Sequence, residues 1–589
     1  MKSAQPLNRE NAVIFLTVFF VSLAVYVRTL CPTVYVGDSG ELIAAAATLG
    51  IPHPPGFPLY VILGKIFITL FRFSNIAYRM NLFSALCSAA TCGMLALLMR
   101  RVFSVGAMVS VLFGLIFAFS FTNWSMATVA VTYPLSSLIT VLGILVLFSW
   151  LQNKDKKHLS FFFFCVGLGF ATHTLTIVLL LSAVILIVLN VAGKRGAYKG
   201  IGRSALWLIP GLILYLFIPL RASMKPAVNW SDPETIPRLF RFLTRADYWK
   251  KAYVENISDF IEVVRHYLKT IPQEFSLLGL LLLLCGIYYL ARKNWKYLVF
   301  FLSLFFFNIA AMCLHGSRSD IFYWSRYMLT GFIGLACIIA AGLVFLKGLI
   351  KIKFVYYLIP LVLLALLFFG NFKASDKSRN FVAYDYNMAI LNYLPQNTVL
   401  MAESDNVLFP LVYLHIAEKK RPDIKLVQQG IEVLSSMRIN PKTEAIYFTH
   451  YHDFQSPQLK LVPDGLGYRL VLKDSDFKSS FDWNKYSMRN LGEKREHLDY
   501  LSRNLLGDYL FSKGINFEFS DFNRALEYFV EASRIDYNNS NMFVNLGLVF
   551  ERHGMYKPAL LSFQKALAID KKEEVAKKHI EQLSLRGFN

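Results

Sequence analysis

Long apolar runs recur along this chain of 589 residues, and they restrict its possible folds more than any other feature. A run of roughly 17 to 25 apolar residues can span the hydrocarbon core of a bilayer as one helix. Backbone polar groups in lipid must be satisfied internally, so many such runs require a bundle of helices. Hydrophobic residues make up 55% of the chain, and its mean hydropathy is +0.44. The sequence therefore predicts a polytopic α-helical membrane protein.

The runs predict eleven spans. The first is expected to be retained as a helix, because it is too long for a signal peptide and has no small-residue cleavage site. The piece at 57–71 is short and begins among prolines, so we expect it to be re-entrant or interfacial. Counting that piece as a span would reverse the side of every later loop. The predicted spans are 11–31, 80–99, 103–121, 134–151, 159–172, 174–192, 204–220, 275–291, 296–313, 328–346 and 354–370.

Positive charge predicts the orientation of these spans. With the N-terminus in the cytoplasm, every cytoplasmic loop is short and basic, as the positive-inside rule requires. The same loops account for the net charge of +22, so no nucleic-acid partner is expected. We expect a multi-pass protein of a bacterial inner membrane, with the first external loop at 32–79 and the C-terminal domains outside the cytoplasm. The basic loops are 100–101, 154–157, 194–203, 292–296 and 347–353.

The first external loop carries the densest pattern of polar residues and prolines, GDSGELIAAAATLGIPHPPGFPL at 37–59. Asp38 and Glu41 precede an alanine-rich run that ends at Gly50, which is typical of a capped helix with a glycine stop. Capping alone is one explanation of the two carboxylates. Two features favour a catalytic role: the rigid segment 52–58 returns apolar chain toward the bilayer, and both carboxylates lie just beyond the membrane edge.

This stretch resembles the signature of a membrane glycosyltransferase family. Its eukaryotic members are protein O-mannosyltransferases, and its bacterial members often carry C-terminal tetratricopeptide repeats. The resemblance implies the glycosyltransferase C architecture, in which a carboxylate of the first external loop acts on a sugar delivered by a polyprenyl phosphate. Asp38 would then be the leading catalytic residue. The resemblance extends to Asn123-Trp124-Ser125, Leu220-Arg221-Ala222, 229–233, 244–248 and 394–423.

The chemistry of the residues agrees with that implication. A serine or threonine hydroxyl that attacks an anomeric carbon loses a proton, which Asp38 would accept. Glu41, one helical turn further on, would orient Asp38 or share the proton. The departing phosphate needs positive charge, which guanidinium groups supply in bidentate fashion. The predicted donor- and phosphate-binding residues are Arg221, Arg245, His53 and His173, with Arg318 and Arg326 as weaker candidates, and the substrate loop contributes Trp230 and Asp232.

Structural roles are open for several of these residues. Arg221 is a candidate to anchor a helix end, His53 to hydrogen-bond its own turn, and His173 to hold a helix hairpin. Four tryptophans stand where an interfacial aromatic belt is expected, which is the interpretation preferred for them. They are Trp124, Trp230, Trp249 and Trp324.

One position departs from the family pattern, and no cofactor is expected. Val131 stands where the family usually has a glutamate, which leaves open another substrate or a lower activity. The seven cysteines precede residue 371 and form no C-x-x-C pair, so neither a disulfide framework nor a zinc site is predicted. The lipid-linked sugar is a substrate, and a requirement for a divalent metal is left open.

The composition changes after the last span, where charges mix and apolar runs shorten. The pattern from Thr398 to Val427 predicts strand, helix and strand, and hence a small α/β domain at 372–495 behind the membrane domain 1–371. Residues 506–575 repeat with a period of 34, which predicts tetratricopeptide repeats within 496–589. Their concave face is expected to hold a polypeptide acceptor, with packing on the α/β domain as the alternative.

The predicted function is transfer of a hexose, mannose by resemblance, from a polyprenyl-phosphate donor to serine or threonine of exported proteins. The expected partners are the lipid-linked sugar, the acceptor polypeptide and membrane lipid. One alternative is an enzyme of the same architecture that modifies a lipid or an envelope glycan. A transporter or flippase is less well supported, because we find neither repeated halves nor ionisable residues near the membrane midplane. A membrane-anchored scaffold would leave the first external loop unexplained.

Overall fold

The structure is a computed structural model that describes residues 9–192, 197–246, 254–315, 325–427, 444–451, 456, 458–492 and 498–588. The chain divides into two compact units. The first comprises Met1–Pro32 and Leu42–Arg379, and the second comprises Thr33–Glu41 and Asn380–Asn589. The segment Thr33–Glu41, which sequence analysis assigned to the membrane domain, therefore groups with the C-terminal residues.

The first unit is built from helices, and the second of these in chain order begins with Ser39–Glu41, which group with the second unit. Long helices alternate with short ones, and a 3-10 turn at Ile213–Leu216 links two of the short ones. In chain order the helices are α1 (Arg9–Arg28), α2 (Ser39–Thr48), α3 (Pro58–Leu70), α4 (Ile76–Phe103), α5 (Ala107–Ala118), α6 (Phe121–Ala127), α7 (Tyr133–Asn153), α8 (Lys156–Phe170), α9 (Thr176–Val191), α10 (Ala197–Ala205), α11 (Leu208–Leu212), α12 (Phe217–Ser223), α13 (Ile236–Leu243), α14 (Ile257–Lys293), α15 (Trp295–His315), α16 (Leu329–Leu349) and α17 (Lys353–Ser375).

Eight helical stretches within the described residues are long and apolar enough to cross a membrane, or nine if the bent pair α5 and α6 forms one span. The predicted spans at 159–172 and 174–192 correspond to α8 and α9, which have only 15 and 16 residues. A short turn joins α8 to α9, so the side of later loops is the same whether both helices cross or neither does. The count of eleven stays a prediction. Helix α3 has 13 residues, fewer than a span needs.

Exposed apolar side chains form rows on the outer helices. On α9 they recur with helical spacing, so one face of this helix is exposed along its length. The same holds for α17. A surface so rich in exposed aliphatic residues is suited to lipid and not to water. The exposed residues are Ile177, Leu181, Val184 and Val188 on α9, and Leu358, Leu361, Val362, Leu366 and Phe369 on α17.

Helices α14 and α16 pack with their backbones in close contact. A Cβ added to Gly286 would lie 1.9 Å from the carbonyl oxygen of Ile338. A Cβ on Gly342 would lie 2.0 Å from the carbonyl oxygen of Leu282. Glycine at both positions therefore permits an approach that no other residue allows, as is common between membrane helices.

The second unit contains a five-stranded mixed sheet of order β2-β1-β3-β5-β4. Strand β1 pairs in parallel with β2 and β3, whereas β5 pairs antiparallel with β3 and β4. The strand, helix and strand predicted between Thr398 and Val427 are present as β1, α19 and β2. A π turn at Tyr413–Ala417 follows α19. The elements are α18 (Val382–Tyr393), β1 (Val399–Met401), α19 (Asp405–Val412), β2 (Lys425–Val427), β3 (Ile446–Phe448), β4 (Leu459–Asp464) and β5 (Gly467–Leu472).

Five helices complete the second unit. The six apolar positions that repeat with a period of 34 are fully buried, whereas the acidic pair of the repeat differs: Asp536 is buried and Asp570 is only half-buried. The apolar repeat therefore marks the inner faces of α21 and α23. This arrangement agrees with tetratricopeptide repeats, an assignment that stays a prediction. The helices are α20 (Tyr500–Phe517), α21 (Phe522–Ile535), α22 (Ser540–Arg552), α23 (Tyr556–Ile569) and α24 (Glu574–Leu585), and the repeated residues are Ala525, Phe529 and Ala532 with Ala559, Phe563 and Ala566.

Candidate active site

Asp38 lies at the N-terminus of α2. Residues 36–38 form a turn in which Gly37 has a φ of +68°, and the helix begins at Ser39. Asp38 therefore occupies the position of an N-cap residue and is half-buried. Glu41, in the first turn, is only 2% exposed. Both carboxylates lie at the N-terminus of α2, where the helix dipole stabilises negative charge. This position suits Asp38 as a helix cap and also as a proton acceptor.

Arg221 binds the other end of α2. Its Nε donates to the carbonyl oxygen of Leu49 at 2.7 Å, and its Nη2 donates to that of Thr48 at 3.1 Å. The guanidinium is thus engaged with helix carbonyls, which favours the anchoring role. A glycine that ends a helix usually adopts a left-handed backbone conformation. At the end of α2 it is Leu49 that has this conformation, with φ 52°, and Gly50 does not. Gly50 is required for space instead, because a Cβ there would lie 2.7 Å from the carbonyl oxygen of Val228.

Backbone hydrogen bonds join three segments that the topology prediction places outside the cytoplasm. The Ile51 N–H donates to the Val228 carbonyl at 2.7 Å, and the Trp230 N–H donates to the Ile51 carbonyl at 3.0 Å. The Leu59 N–H, at the start of α3, donates to the Ala171 carbonyl at 3.0 Å. The first loop is therefore held by the loop after α12 and by the turn between α8 and α9.

These bonds bring five rings together, and we call His53, Phe57, Tyr133, His173 and Trp230 the ring cluster. The Phe57 centroid lies 5.0 Å from that of His53 and 5.8 Å from that of His173. The centroids of His53 and Trp230 are 6.5 Å apart, and those of Tyr133 and His173 are 5.2 Å apart. Phe57 has a φ of 43°, a strained conformation for a bulky residue and one that is often found at functional sites.

The hydrogen bond of His173 defines the tautomer of its neutral ring. Its Nδ1 accepts the N–H of Leu175 at 3.1 Å, so the neutral ring carries its hydrogen on Nε2. His173 is 7% exposed, whereas His53 is half-buried. The site thus holds a buried imidazole N–H donor. Among the described residues, no group of three or more His, Cys, Asp or Glu is placed to hold a metal ion.

Arg326 lies beside the ring cluster. Its guanidinium carbon is 5.9 Å from the ring centroid of Tyr133 and 4.9 Å from that of Tyr327, and its Nη2 donates to the Tyr327 hydroxyl at 3.0 Å. The sequence favours Arg221 over this arginine, yet Arg326 is the one next to the rings. Arg318 falls outside the described residues.

Asp232 is bound within its own loop. Both of its carboxylate oxygens accept from Lys225 Nζ at 2.9 Å, and it also accepts from Arg238 at 3.0 Å and from the Asn229 amide at 2.8 Å. The Lys225 ammonium lowers the pKa of Asp232, so this carboxylate stays ionised as the centre of an exposed network. Arg245 follows α13 in a left-handed conformation, with φ 56°, and is half-buried.

Trp124 is fully buried, so the expectation of an aromatic-belt position is wrong for this residue. Its indole N–H donates to Thr29 Oγ1 at 3.0 Å, and its ring lies 5.6 Å from Phe368. Trp230 is partly buried within the ring cluster. Trp249 and Trp324 lie outside the described residues.

Two buried ionisable side chains beside α6 were not predicted from the sequence. Glu274 is 2% exposed and accepts from the Thr122 N–H at 3.1 Å and from the Thr122 hydroxyl at 2.8 Å. Lys377 is 3% exposed and donates to Ser125 Oγ at 3.3 Å. Each lies next to the end of an apolar run, where the sequence pattern is that of an ordinary charged residue flanking a membrane span. Val131, where a glutamate was expected, is buried as well.

Residues 38–195 match the family described as Protein O-mannosyl-transferase TMEM260 N-terminal domain. The chain is 26% identical over 445 residues to Protein O-mannosyl-transferase TMEM260 of Mus musculus, covering 70% of this chain and 62% of the mouse protein. It is 23% identical over 518 residues to the Dictyostelium discoideum protein of the same name, covering 78% of this chain and 62% of that protein. The chain thus spans about three fifths of the length of these relatives.

The fold is similar to that of ArnT from Cupriavidus metallidurans, solved bound to undecaprenyl phosphate. The TM-score is 0.50 at 11% identity, and the likeness covers 79% of this chain and 98% of that one. The resemblance to membrane O-mannosyltransferases, predicted from the first external loop, is confirmed by the family match, which begins at Asp38. That match ends before the C-terminal repeats.

Proposed function

We propose that this relative of the protein O-mannosyl-transferases is an integral membrane glycosyltransferase. It transfers mannose from a polyprenyl-phosphate donor to serine or threonine of exported polypeptides. The observation that carries the proposal is the ring cluster with Arg326 beside it. Rings from separate segments lie together, one of them a buried imidazole, and a guanidinium lies beside Tyr133, as suits a site for a phosphorylated sugar.

The ring cluster suits a sugar phosphate for two reasons. Its rings offer flat apolar faces to the sugar, and His173 adds a buried imidazole among them. Arg326 supplies a planar fork of N–H donors that matches the phosphate in bidentate fashion. As the phosphate departs, its growing negative charge is stabilised by donors already in place.

Asp38 is the proposed base of the reaction. The hydroxyl oxygen of the acceptor forms a bond to the anomeric carbon, and the bond between that carbon and the phosphate oxygen breaks. The electron pair of the broken bond leaves with the polyprenyl phosphate, and the hydroxyl proton passes to Asp38. Glu41, one turn further along α2, orients Asp38 or shares the proton.

The remaining features of the proposal concern location. The site faces the outside of a bacterial inner membrane, with the N-terminus in the cytoplasm, as the basic loops favour. The C-terminal helices hold the acceptor polypeptide through their concave face. The relatives that support the proposal come from mouse and Dictyostelium.

A transfer assay with matched donors and acceptors tests the function. The purified full-length chain in lipid nanodiscs is incubated with polyprenyl-phosphate mannose or polyprenyl-phosphate glucose, and with serine- and threonine-containing peptides or extracted envelope lipids. We expect mannosylated peptides by mass spectrometry. Sugar appearing only on lipid would support the related enzyme that modifies a lipid or glycan, and no transfer from any donor would overturn the enzyme assignment.

A further inference from the structure

The turn that carries Asp38 is held by helix α19 of the α/β domain. Within the second unit, the Gly37 N–H donates to Asn406 Oδ1 at 3.1 Å. Gly40, in the first turn of α2, lies against the same helix, because a Cβ there would come within 2.2 Å of the Phe409 carbonyl oxygen. These two contacts lie on either side of Asp38 in the sequence, so the backbone that bears its carboxylate is held from both directions.

The conformation of the turn depends on these contacts. Gly37 has a φ of +68°, which side chains other than glycine rarely adopt, and a Cβ there would meet Leu501 Cδ1 of α20 at 3.4 Å. The neighbouring residues Thr33, Val34 and Val36 are no more than 4% exposed. A left-handed glycine has many accessible conformations, so one specific backbone path needs an external hydrogen bond to select it.

We infer that Asn406 is a positioning residue for sugar transfer, and that α19 forms part of the active site by fixing the turn that places Asp38. The inference rests on the proposed function, in which Asp38 is the base. Placement matters because a displacement of about 1 Å at a reacting group can lower the rate about a hundredfold. The α/β domain thereby acquires a task in catalysis that is separate from binding the acceptor.

Two substitutions at Asn406 separate positioning from stability. Asn406→Leu removes the acceptor of the Gly37 N–H, and we expect kcat to fall at least about tenfold with an unchanged donor KM. Asn406→Asp keeps an oxygen in the same place, so it should restore most of the rate. Its added negative charge raises the pKa of a nearby carboxylate, so the acidic limb of the kcat profile should move to higher pH.

A matched control lies in the same domain. Asn387 in α18 is buried and donates to the Ala383 carbonyl of its own helix at 2.8 Å. Asn387→Leu should therefore change stability without the pattern of kcat and pH seen at Asn406. Gly40→Ala gives an independent test, because its Cβ would strike the Phe409 carbonyl and should lower kcat as well. A normal kcat in both Asn406→Leu and Gly40→Ala would overturn the inference.

Hydrogen exchange tests the anchoring without any activity. In Asn406→Leu the amide of Gly37 should exchange about fivefold faster than in the wild type, the factor expected for one hydrogen bond of ordinary net strength. Asn387→Leu should leave that amide unchanged. Equal exchange in Asn406→Leu and wild type would overturn the inference, whatever the activity. Absence of transfer by the wild-type chain would instead overturn the proposed function. The exchange rate of the Gly37 amide would still decide whether Asn406 anchors the turn.

Discussion

Replacing Asp38 with asparagine separates proton transfer from helix capping. Asparagine keeps an oxygen that accepts a backbone N–H, so the helix start should lose well under about 1 kcal/mol. It cannot take the proton of the acceptor hydroxyl, so transfer should fall by at least about a hundredfold. Single-turnover transfer and a thermal melt of the same preparation measure the two effects. Glu41→Gln should lose less, and near-normal transfer by Asp38→Asn would remove Asp38 as the base.

Two of the four arginines predicted to bind the phosphate, Arg221 and Arg326, should respond differently to substitution by glutamine. Arg326→Gln removes the guanidinium beside the ring cluster, and we expect the donor KM to rise about tenfold or more, as loss of a charge-assisted hydrogen bond does. Arg221→Gln removes the cap of α2 and should instead lower stability by about 1 to 2 kcal/mol. Donor titrations and chemical unfolding of both variants measure this. A raised KM in Arg221→Gln alone would place the phosphate near α2.

Local patterns in the sequence predicted the parts of the site that depend on neighbouring residues. The start of α2 directly after Asp38 was predictable, because Asp38 and Glu41 form a capping pattern within a few residues of each other. The partner of Arg221 could not be predicted in this way, because the carbonyl it binds belongs to Leu49, 172 residues earlier. Glu274 and Lys377 were missed for a related reason: a single charge at the end of an apolar run has the same local pattern whether it is buried or not.

The close packing of α14 and α16 predicts a severe effect of small additions at Gly342. A Cβ there would lie 2.0 Å from the Leu282 carbonyl, so the helices must separate to accept Gly342→Ala. We expect a loss of about 1 to 3 kcal/mol, the usual cost of overpacking, and a lower melting temperature in detergent. Gly348→Ala in the same helix is the control, because a Cβ there meets nothing within 4 Å. Equal melting of both variants would contradict the packing.

Two acidic residues make the C-terminal helices sensitive to pH. Burial raises the pKa of Asp508 in α20 and that of Asp536, at the end of α21, to about 7 each, and the charge of Asp536 adds to the effect on Asp508. In the unfolded chain, an aspartate titrates near pH 4. Between these values the folded form holds more protons, so stability should fall as pH rises from about 4 through about 7 and then level off.

Asp536→Asn should flatten this dependence. The asparagine oxygen can still accept the Asn539 amide, which donates to Asp536 at 2.6 Å, but the buried charge is gone. At pH 8 we expect the helices to gain at least about 1.4 kcal/mol, the equivalent of one pKa unit. Urea unfolding followed by hydrogen exchange of α20 and α21 in the full chain provides the measurement.

Apolar runs predicted where helices occur better than how each one crosses the bilayer. All eleven predicted spans contain helix, because a run of apolar residues in lipid must pair its own backbone groups. The prediction of one span at 103–121 missed a bend of 70° between α5 and α6. No proline or glycine stands at the break around Phe119 and Ser120, so the bend depends on tertiary contacts that the local sequence does not contain.

Single cysteines placed along the full chain test the predicted topology. Ala227→Cys and Lys473→Cys are expected outside the cytoplasm, and Lys154→Cys inside, so a membrane-impermeant thiol reagent applied to intact cells should label only the first two. Six of the native cysteines are buried and Cys285 is half-buried, so the unsubstituted chain supplies the background. Labelling of Lys154→Cys alone would reverse the orientation. Opposite sides for Ala227→Cys and Lys473→Cys would show an odd number of crossings between them.

The hydrogen bond from Gly37 to Asn406 joins residues that are 369 positions apart, and this separation has a consequence in time. A ribosome adds roughly 5 to 20 residues per second, so roughly 20 to 70 seconds pass between the synthesis of the two residues. During that interval the first loop, which the predicted topology places outside the cytoplasm, lacks its partner. A nascent chain therefore inserts before it can place Asp38, and transfer should start only after α19 has been translated and folded.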